Sequence, residues 1–198
     1  MSQSSTVIAR LYEHIGPIDR GTRYEDPLDV ALRGASLGEV TGGGSQLGDL
    51  GEIEFADVEI QVANLDDAVT VIVDVLQRSG APVGSQLLAA GSVIREFGEQ
   101  QSVGVYLDGT TLPDEVYANL DFDDLVARLT EAAGPDSYHG YWGGPEETGL
   151  FFFGRDAEVT FAALEAVLRQ MPIGQNARVV IRATRNRVLD RTVRMPRY

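Results

Sequence analysis

The segment IEFADVEIQVANLDDAVTVIVDVLQRS, residues 53–79, decides the fold of this chain. Its first ten residues, 53–62, are rich in β-branched and aromatic side chains, which predicts a strand. The Ala56-Asp57 pair interrupts the apolar alternation, so we predict a β-bulge at that point. Asn64 is a favourable helix N-cap, and the apolar residues that follow it at helical spacing predict an amphipathic helix.

Strands and helices flank this segment in the order β-α-β-β-α-β. Residues 6–14 predict the first strand, and acids beside Pro27 predict the start of the first helix. Residues 37–41 predict a short strand that runs into a loop at Gly42-Gly43-Gly44. Residues 82–88 supply the fourth strand, which completes one unit.

The same order recurs after residue 102. The predicted strands of this second copy are residues 103–107, 137–142, 149–154 and 177–183, and its helices are residues 122–133 and the segment capped by Asp156. Asp156 aligns with Asn64, and the apolar positions of the two helices that follow them coincide. Residues 93–96 and 188–191 follow the fourth strands and predict one extra strand after each unit.

A βαββαβ order with short connections is the ferredoxin-like split motif. Right-handed crossovers place both helices on one face of an antiparallel sheet and leave the other face for water, the second unit or a partner. We therefore predict an α+β fold made by tandem duplication of a ferredoxin-like unit. The first unit is expected at residues 1–90 and the second at 102–198, with 91–101 as a connecting segment or an extra strand.

Composition excludes several classes of protein. The 198 residues include no cysteine, which rules out disulfides and thiolate metal sites. No apolar run approaches the roughly 18 residues of a membrane span, so no membrane partner is expected. The N-terminus lacks the layout of a secretory signal, so a cytoplasmic location is expected. Neither a cofactor nor a metal is predicted.

Charge is distributed unevenly along the chain. The formal net charge is −14, of which residues 1–176 carry −20 and residues 177–198 carry +6. We expect this basic strip to pack on the acidic body, and a nucleic-acid arm is the alternative. Because an acidic body repels phosphate, no nucleic-acid partner is expected. The strip comprises Arg178, Arg182, Arg185, Arg187, Arg191, Arg194 and Arg197.

The second unit resembles the RNA-recognition motif in the placement of aromatic residues. Tyr106, Phe151 and Phe153 lie on the two strands that carry base-stacking aromatics in that family. The pattern departs from the family because Thr148 replaces the basic residue and two glutamates precede it. Packing in the core accounts better for the aromatic residues, and RNA binding is not expected.

One segment of the second unit is the candidate binding site. It combines the single tryptophan with tyrosine, histidine and a glycine-rich acidic loop, a composition typical of interaction hot spots. The alternative is that Tyr138, Gly140 and Trp142 simply face the core. The candidate binding residues are Tyr138, His139, Tyr141, Trp142, Glu146 and Glu147.

No catalytic or metal-binding pattern is complete in the sequence. His139 lacks a serine or cysteine partner motif that would make it a general base. The carboxylates at 108–115 and 121–124 do not follow the calcium-loop pattern, and we interpret them as charges at helix starts. The glycines at 42–44 precede no lysine, which excludes a phosphate-binding P-loop.

These observations favour a non-enzymatic acidic protein that binds a basic protein partner. One specific form of this hypothesis is an immunity or antitoxin-type inhibitor. The alternative is a small-molecule sensor or an enzyme that uses a cleft between the two units, with His139, Tyr141 and Glu146 at its mouth. A homodimer formed through the uncovered sheet faces is a further alternative.

Overall fold

The computed structural model describes residues 4–183 and 190–197. The chain divides into two compact units, residues 1–100 and 101–198. Each unit contains a five-stranded antiparallel sheet, and the strands have the same spatial order in both. The predicted α+β fold, a duplicated ferredoxin-like unit with helices packed on one face of each sheet, is confirmed. Across the described residues, no helix combines the length and apolar character needed to cross a membrane.

The first unit has the sheet order β2-β3-β1-β4-β5. A π-helical turn at Gly21–Glu25 joins its first two helices, and the side chain of Asn64 caps the third by accepting a hydrogen bond from the Asp66 backbone at 3.0 Å. Its elements are β1 Ser5–Leu11, α1 Pro17–Arg20, α2 Asp26–Gly34, β2 Gly38–Leu47, β3 Ile53–Val62, α3 Leu65–Arg78, β4 Ser85–Ala89 and β5 Ser92–Phe97.

The second unit has the sheet order β10-β9-β6-β8-β7. A short 3-10 helix, Pro172–Gly174, lies between its last helix and β9. Its elements are β6 Gln101–Asp108, α4 Asp114–Ala118, α5 Phe122–Ala133, β7 Tyr138–Gly143, β8 Glu147–Gly154, α6 Ala157–Leu168, β9 Arg178–Arg182 and β10 Arg191–Arg194. Of the extra strand expected at 188–191, residues 188 and 189 lie outside the described residues.

Apolar residues on the helix-facing side of each sheet form the main cores. In the first unit, Val7 and Ile60 of the sheet are buried with Leu28 and Ile72 of the helices. In the second unit, Phe152 and the neighbouring strand residues are buried with residues of α5 and α6. Removal of this apolar surface from water is the main term that stabilises both units.

The bulge predicted at Ala56-Asp57 is wrong. Both residues pair in register with β1, as Leu11 with Ala56 and Arg10 with Asp57. The irregularity lies two residues earlier, where Gln46 pairs with Phe55 and Leu47 pairs with Ile53. Ala56 is a small buried core residue, so the helix-facing alternation continues through it. The apparent change of phase comes from Phe55, which lies on the opposite face beside Arg10 and next to the register shift.

The loop predicted at Gly42-Gly43-Gly44 is also wrong, because β2 continues through the glycines as an edge strand. A Cβ atom on Gly43 would lie 2.6 Å from Oε1 of Glu25 and 2.7 Å from the carbonyl oxygen of Asp57. The backbone can pass this close only without a side chain. Gly43 therefore serves close packing here.

A buried ionic cluster fixes the segment before α2. The fully buried carboxylate of Glu13 accepts hydrogen bonds from the Tyr24 hydroxyl at 2.5 Å and from Nη1 of Arg23 at 3.1 Å. Burial raises the pKa of Tyr24, and the charge and hydrogen bond of Glu13 raise it further. Arg20 bonds to Glu25 at 2.6 Å and to the carbonyl of Gly44 at 2.9 Å, which holds β2 against the helical segment.

Substitution of Gly43 by alanine is expected to lower the free energy of unfolding by about 1–3 kcal/mol, the usual cost of overpacking. The matched control is Gly44→Ala, because no atom lies within 4 Å of a Cβ built there. Its stability should be unchanged or slightly higher. Urea unfolding of both variants measures the difference, and equal values would contradict the close packing at Gly43.

Substitution of Tyr24 by phenylalanine should lower the free energy of unfolding at pH 7 by about 1–3 kcal/mol, because the buried Glu13 loses a donor. The pKa of Tyr24 in the folded state lies well above 10.0. The unfolded chain therefore loses this proton first as the pH rises, and wild-type stability should fall above about pH 10. The fall should be shallower in Tyr24→Phe.

Denaturant unfolding between pH 7 and pH 11 measures this dependence. The control is Tyr141→Phe, since Tyr141 is 63% exposed. A Tyr24→Phe variant whose alkaline decline is as steep as that of the control would show that the Glu13–Tyr24 contact does not act as described.

Candidate functional site

A bulge in β7 divides the aromatic residues predicted as a binding site. Gly140 has a φ of 118°, and the pairing of β7 with β8 shifts register between Tyr138 and Tyr141. Both tyrosines therefore lie on the helix-facing side of the sheet. The ring of Tyr138 lies 5.5 Å from that of Phe152, and the ring of Tyr141 lies 5.4 Å from that of Phe122.

His139 and Trp142 lie on the opposite face of the same strand. The ring of His139 stacks on Phe153 with centroids 4.3 Å apart, and Trp142 packs against an aromatic cluster. The alternative prediction, that Tyr138, Gly140 and Trp142 all face the core, is wrong. The bulge reverses the alternation of side chains between Tyr138 and Trp142. The aromatic cluster consists of Tyr106, Phe151, Phe153 and Val180.

The two glutamates of the predicted site lie in different environments. Glu146 is exposed in the turn between β7 and β8. Glu147 binds the guanidinium of Arg178 at 2.5 Å and 3.2 Å, and that guanidinium lies 3.9 Å above the ring of Tyr106. The six predicted residues are therefore distributed over two sheet faces and a turn, and they do not converge on one site.

The aromatics that resemble those of the RNA-recognition motif are buried. Tyr106 and Phe151 are 2% exposed and Phe153 is 4% exposed. Gly104 and Gly149 leave room for these rings on the sheet surface, since a Cβ atom on either glycine would lie about 3 Å from the Tyr106 or Phe151 ring. In this structure the three rings are not available to stack on bases or on a second copy of the chain.

A cavity in the second unit forms a different candidate site, which we call the α4–α5 cavity. It lies between α4, the start of α5 and the 3-10 helix, and its volume is about 520 Å³. Such a volume lies within the usual range of ligand-binding pockets. The lining residues are Pro113, Glu115, Val116, Asn119, Leu120, Asp121, Asp124, Met171, Pro172, Ile173, Gln175 and Arg197.

The lining combines apolar side chains with carboxylates. Val116, Leu120 and Ile173 belong to the core of the unit or pack against it. Glu115, Asp121 and Asp124 are exposed carboxylates on the same cavity. The cavity therefore presents an apolar surface bordered by three carboxylates and one guanidinium.

The carboxylates lie on the cavity because α4 and α5 begin beside it. Asp121 caps α5 and accepts a hydrogen bond from the backbone N–H of Asp124 at 3.0 Å. Glu115 lies in the first turn of α4, where a negative charge is favourable. Asp124 pairs with the exposed Arg128 at 3.0 Å, whereas within the described residues Glu115 and Asp121 form no ion pair.

Asp108, at the end of β6, anchors the cavity wall. It accepts hydrogen bonds from the backbone of Thr110 at 2.9 Å and of Thr111 at 2.8 Å, from the Thr111 hydroxyl, and from Asn176 at 3.2 Å. The hydroxyl of Tyr117, on α4, donates to the same carboxylate at 3.4 Å. This network joins α4 to the sheet and to the segment before β9.

The same network controls the ionisation of Asp108. Burial acts to raise the pKa of Asp108, but the hydrogen bonds from Thr111, Thr110 and Asn176 outweigh it and hold the pKa well below its ordinary value. The carboxylate thus stays ionised and continues to accept hydrogen bonds from these donors. Nη2 of Arg197 donates to the carbonyl of Thr111 at 3.0 Å, so the same loop also holds the cavity's guanidinium.

The basic strip is largely engaged within the second unit. Arg178 pairs with Glu147, Arg191 with Glu158, and Arg182 with Asp190. Arg194 donates to the carbonyl of Asn176 at 3.4 Å, and Arg185 and Arg187 lie outside the described residues. By contrast, Asp114, Asp123 and Glu131 of α4 and α5 are exposed.

Sequence reasoning identified the carboxylates of this site but not the site. The interpretation of residues 108–115 and 121–124 as charges at helix starts is confirmed for Asp121, which caps α5, and for Glu115 in the first turn of α4. It is wrong for Asp108, which ends β6 and accepts hydrogen bonds from the loop that follows. Neither α4 nor the 3-10 helix is predicted from the sequence. The cavity depends on the packing of these two segments, and no local pattern reports it. Within the ranges 4–183 and 190–197, no group of three or more potential metal-ligating side chains comes together.

Substitution of Asp108 by asparagine should lower the free energy of unfolding at pH 7 by about 1–3 kcal/mol, because an amide cannot accept all of these hydrogen bonds. Since the folded-state pKa of Asp108 lies below the 3.8 of an ordinary aspartate, its contribution is present above that pH and lost as the pH falls. The acid decline of the variant should therefore be shallower.

Urea unfolding from pH 7 to pH 2 tests this expectation. Asp136→Asn, which removes one charge at an exposed position of the same unit, is the matched control and should retain wild-type stability at pH 7. An Asp108→Asn variant as stable as this control would contradict the anchoring role.

Comparison with known proteins gives no family. No family model matches the chain, and no curated protein matches it. Among solved structures, an unknown protein from Galdieria sulphuraria is 12% identical, with 91% of this chain and 98% of that chain covered and a TM-score of 0.31. The regulatory subunit of aspartate kinase from Thermus flavus is 12% identical over 84% of this chain and 93% of its own, with a TM-score of 0.28.

A putative monooxygenase from Lactobacillus acidophilus NCFM is 11% identical over 84% of this chain and 86% of its own, also with a TM-score of 0.28. Scores of this size carry no inference about function. The fold assignment rests on the order and pairing of the strands, and the candidate site rests on its own geometry.

Proposed function

We propose that the protein is a non-enzymatic binding protein that captures a basic protein through the acidic surface of α4 and α5. The observation that carries this proposal is the exposed carboxylates around the α4–α5 cavity, which coincide with an apolar lining. An apolar centre with a charged border is the usual anatomy of a protein interface.

The charge balance supports a basic partner. The chain has a formal net charge of −14, and the described arginines of the basic strip are held by carboxylates or carbonyls of the second unit. An acidic surface of this kind accelerates association with a basic protein by electrostatic steering. An immunity or antitoxin-type inhibitor, which must cover the cationic cleft of a nuclease, is the specific form that we favour.

The surroundings of the histidine in the second unit also favour a non-enzymatic role. His139 stacks on Phe153 beside the aromatic cluster, whereas Tyr138 and Tyr141 lie on the helix-facing side of the sheet. A protein that binds a partner without catalysing a reaction requires only the exposed surface of α4 and α5.

The experiment is a pull-down from the native lysate with the immobilised full chain, followed by mass spectrometry. We expect stoichiometric retention of a basic protein at about 0.05 M salt and its loss at about 0.5 M salt, because screening shortens the range of charge interactions. Glu115→Gln combined with Asp121→Asn and Asp123→Asn should weaken retention by roughly tenfold.

The matched control removes the same charge from exposed positions of α3 in the first unit, through Asp66→Asn, Asp67→Asn and Asp74→Asn. It should retain the partner nearly as well as the wild type. Equal losses in the two triple variants would overturn the assignment to α4 and α5. A wild-type chain that retains no basic protein, with a metabolite bound instead, would overturn the proposed function.

A further inference from the structure

We infer that the α4–α5 cavity seats a single arginine side chain of the basic partner, an inference that rests on the proposed function. The cavity, at about 520 Å³, accommodates one long side chain but not an α-helix, whose diameter with side chains is about 10 Å. The contact would be an anchor at the centre of an otherwise electrostatic interface.

The lining matches both halves of an arginine side chain. Val116, Leu120 and Ile173 offer apolar contact to the three-carbon stem. Glu115 and Asp121 offer carboxylates to the guanidinium, which is weakly hydrated and pairs with carboxylates in a planar, bidentate geometry.

Other ligand classes fit this lining less well. An anionic group would meet the carboxylates of Glu115 and Asp121, which no described cation pairs, and repulsion would oppose it. A purely apolar ligand would cover these carboxylates without giving them a partner, which costs free energy. A cation with an apolar stem satisfies both parts of the lining.

The position of Arg197 leaves the carboxylates available. Its guanidinium lines the cavity but donates to the carbonyl of Thr111, and among the described side chains Glu115 and Asp121 have no ion-pair partner. The cavity therefore keeps two carboxylates without a cation beside an apolar surface, on a wall that Asp108 holds in place.

The first arm of the test uses N-acetylarginine amide as the probe and the ¹⁵N-labelled full chain, followed by NMR. We expect saturable shifts confined to amides that line the cavity, such as those of Val116, Leu120 and Ile173, and at least about tenfold weaker binding of N-acetylcitrulline amide, its neutral isostere. Shifts that are linear, spread over all acidic helices or equal for the two probes would overturn the inference.

The second arm blocks the cavity without a change of charge. Asn119 lines the cavity, and its amide donates to the carbonyl of Glu115 at 2.7 Å. Asn119→Trp fills the space, whereas Asn119→Ser loses the same hydrogen bond without filling it. We expect the tryptophan variant to weaken both probe binding and partner capture by roughly tenfold or more, a clearly larger loss than in the serine variant, which leaves the space open.

Thermal unfolding must show both variants folded, and NMR of the unliganded tryptophan variant locates any rearrangement. If the wild type captures a basic protein and the tryptophan variant captures it equally well, the inference fails and the proposed function stands. If the wild type captures no basic protein while the arginine probe saturates the cavity, the proposed function and the partner's arginine both fail, and the site belongs to a free small cation.

Discussion

The antiparallel pairing of β6 with β8 is the constraint on which the second unit depends. The two strands pair without interruption from Gln101 opposite Gly154 to Asp108 opposite Glu147. This register assigns every side chain of both strands to a face, and a slip of one residue would exchange the faces. It places Phe152 in the helix-facing core and Phe151 and Phe153 in the aromatic cluster. It also delivers Asp108 to the edge from which the loop to α4 begins.

The cavity follows from that last placement. Asp108 can collect donors from Thr111, Tyr117 and Asn176 only because β6 ends where these three segments meet. The carboxylates on the cavity then arise from the preference for acidic residues at helix starts, since Asp121 caps α5 and Glu115 lies in the first turn of α4. Local folding requirements can thus produce a binding surface. The hydrogen bonds of Asp108 stabilise the wall of the cavity, and the helix starts supply its negative charge.

The two units use the same interaction on the sheet face opposite their helices, but with different residues. In the first unit, Arg10 lies 3.9 Å above the ring of Phe55 and binds Asp57 at 2.9 Å and 2.8 Å. In the second unit, Arg178 lies 3.9 Å above the ring of Tyr106 and binds Glu147. The arginine comes from the first strand of one unit and the fourth strand of the other. The two units therefore share the same type of contact, although its residues come from different strands.

The order of elements could be predicted from the sequence because strand composition, helical spacing and caps are local properties. Asn64, Asp121 and Asp156 each cap the helix that they were expected to begin. The strand through Gly42-Gly43-Gly44 could not be predicted, because a run of glycines is typical of a loop and the need for glycine at position 43 comes from the close approach of Glu25 and Asp57.

The candidate site was predicted less well, for a related reason. The unusual composition of residues 138–147 predicts one binding site, but the bulge at Gly140 distributes the aromatic side chains over both faces of β7. The α4–α5 cavity carries no unusual composition. It requires knowledge of how α4 packs on the 3-10 helix, and such long-range packing is not encoded in spacing along the chain.

The bulge at Gly140 has a consequence beyond the placement of side chains. β7 is the outer strand of its sheet, and a regular outer strand exposes unpaired backbone groups that can recruit strands from other molecules. At Gly140 the backbone leaves the regular extended path, so another strand cannot continue the ladder past this point. The same distortion that separates the aromatic residues therefore protects this edge of the protein from edge-to-edge aggregation.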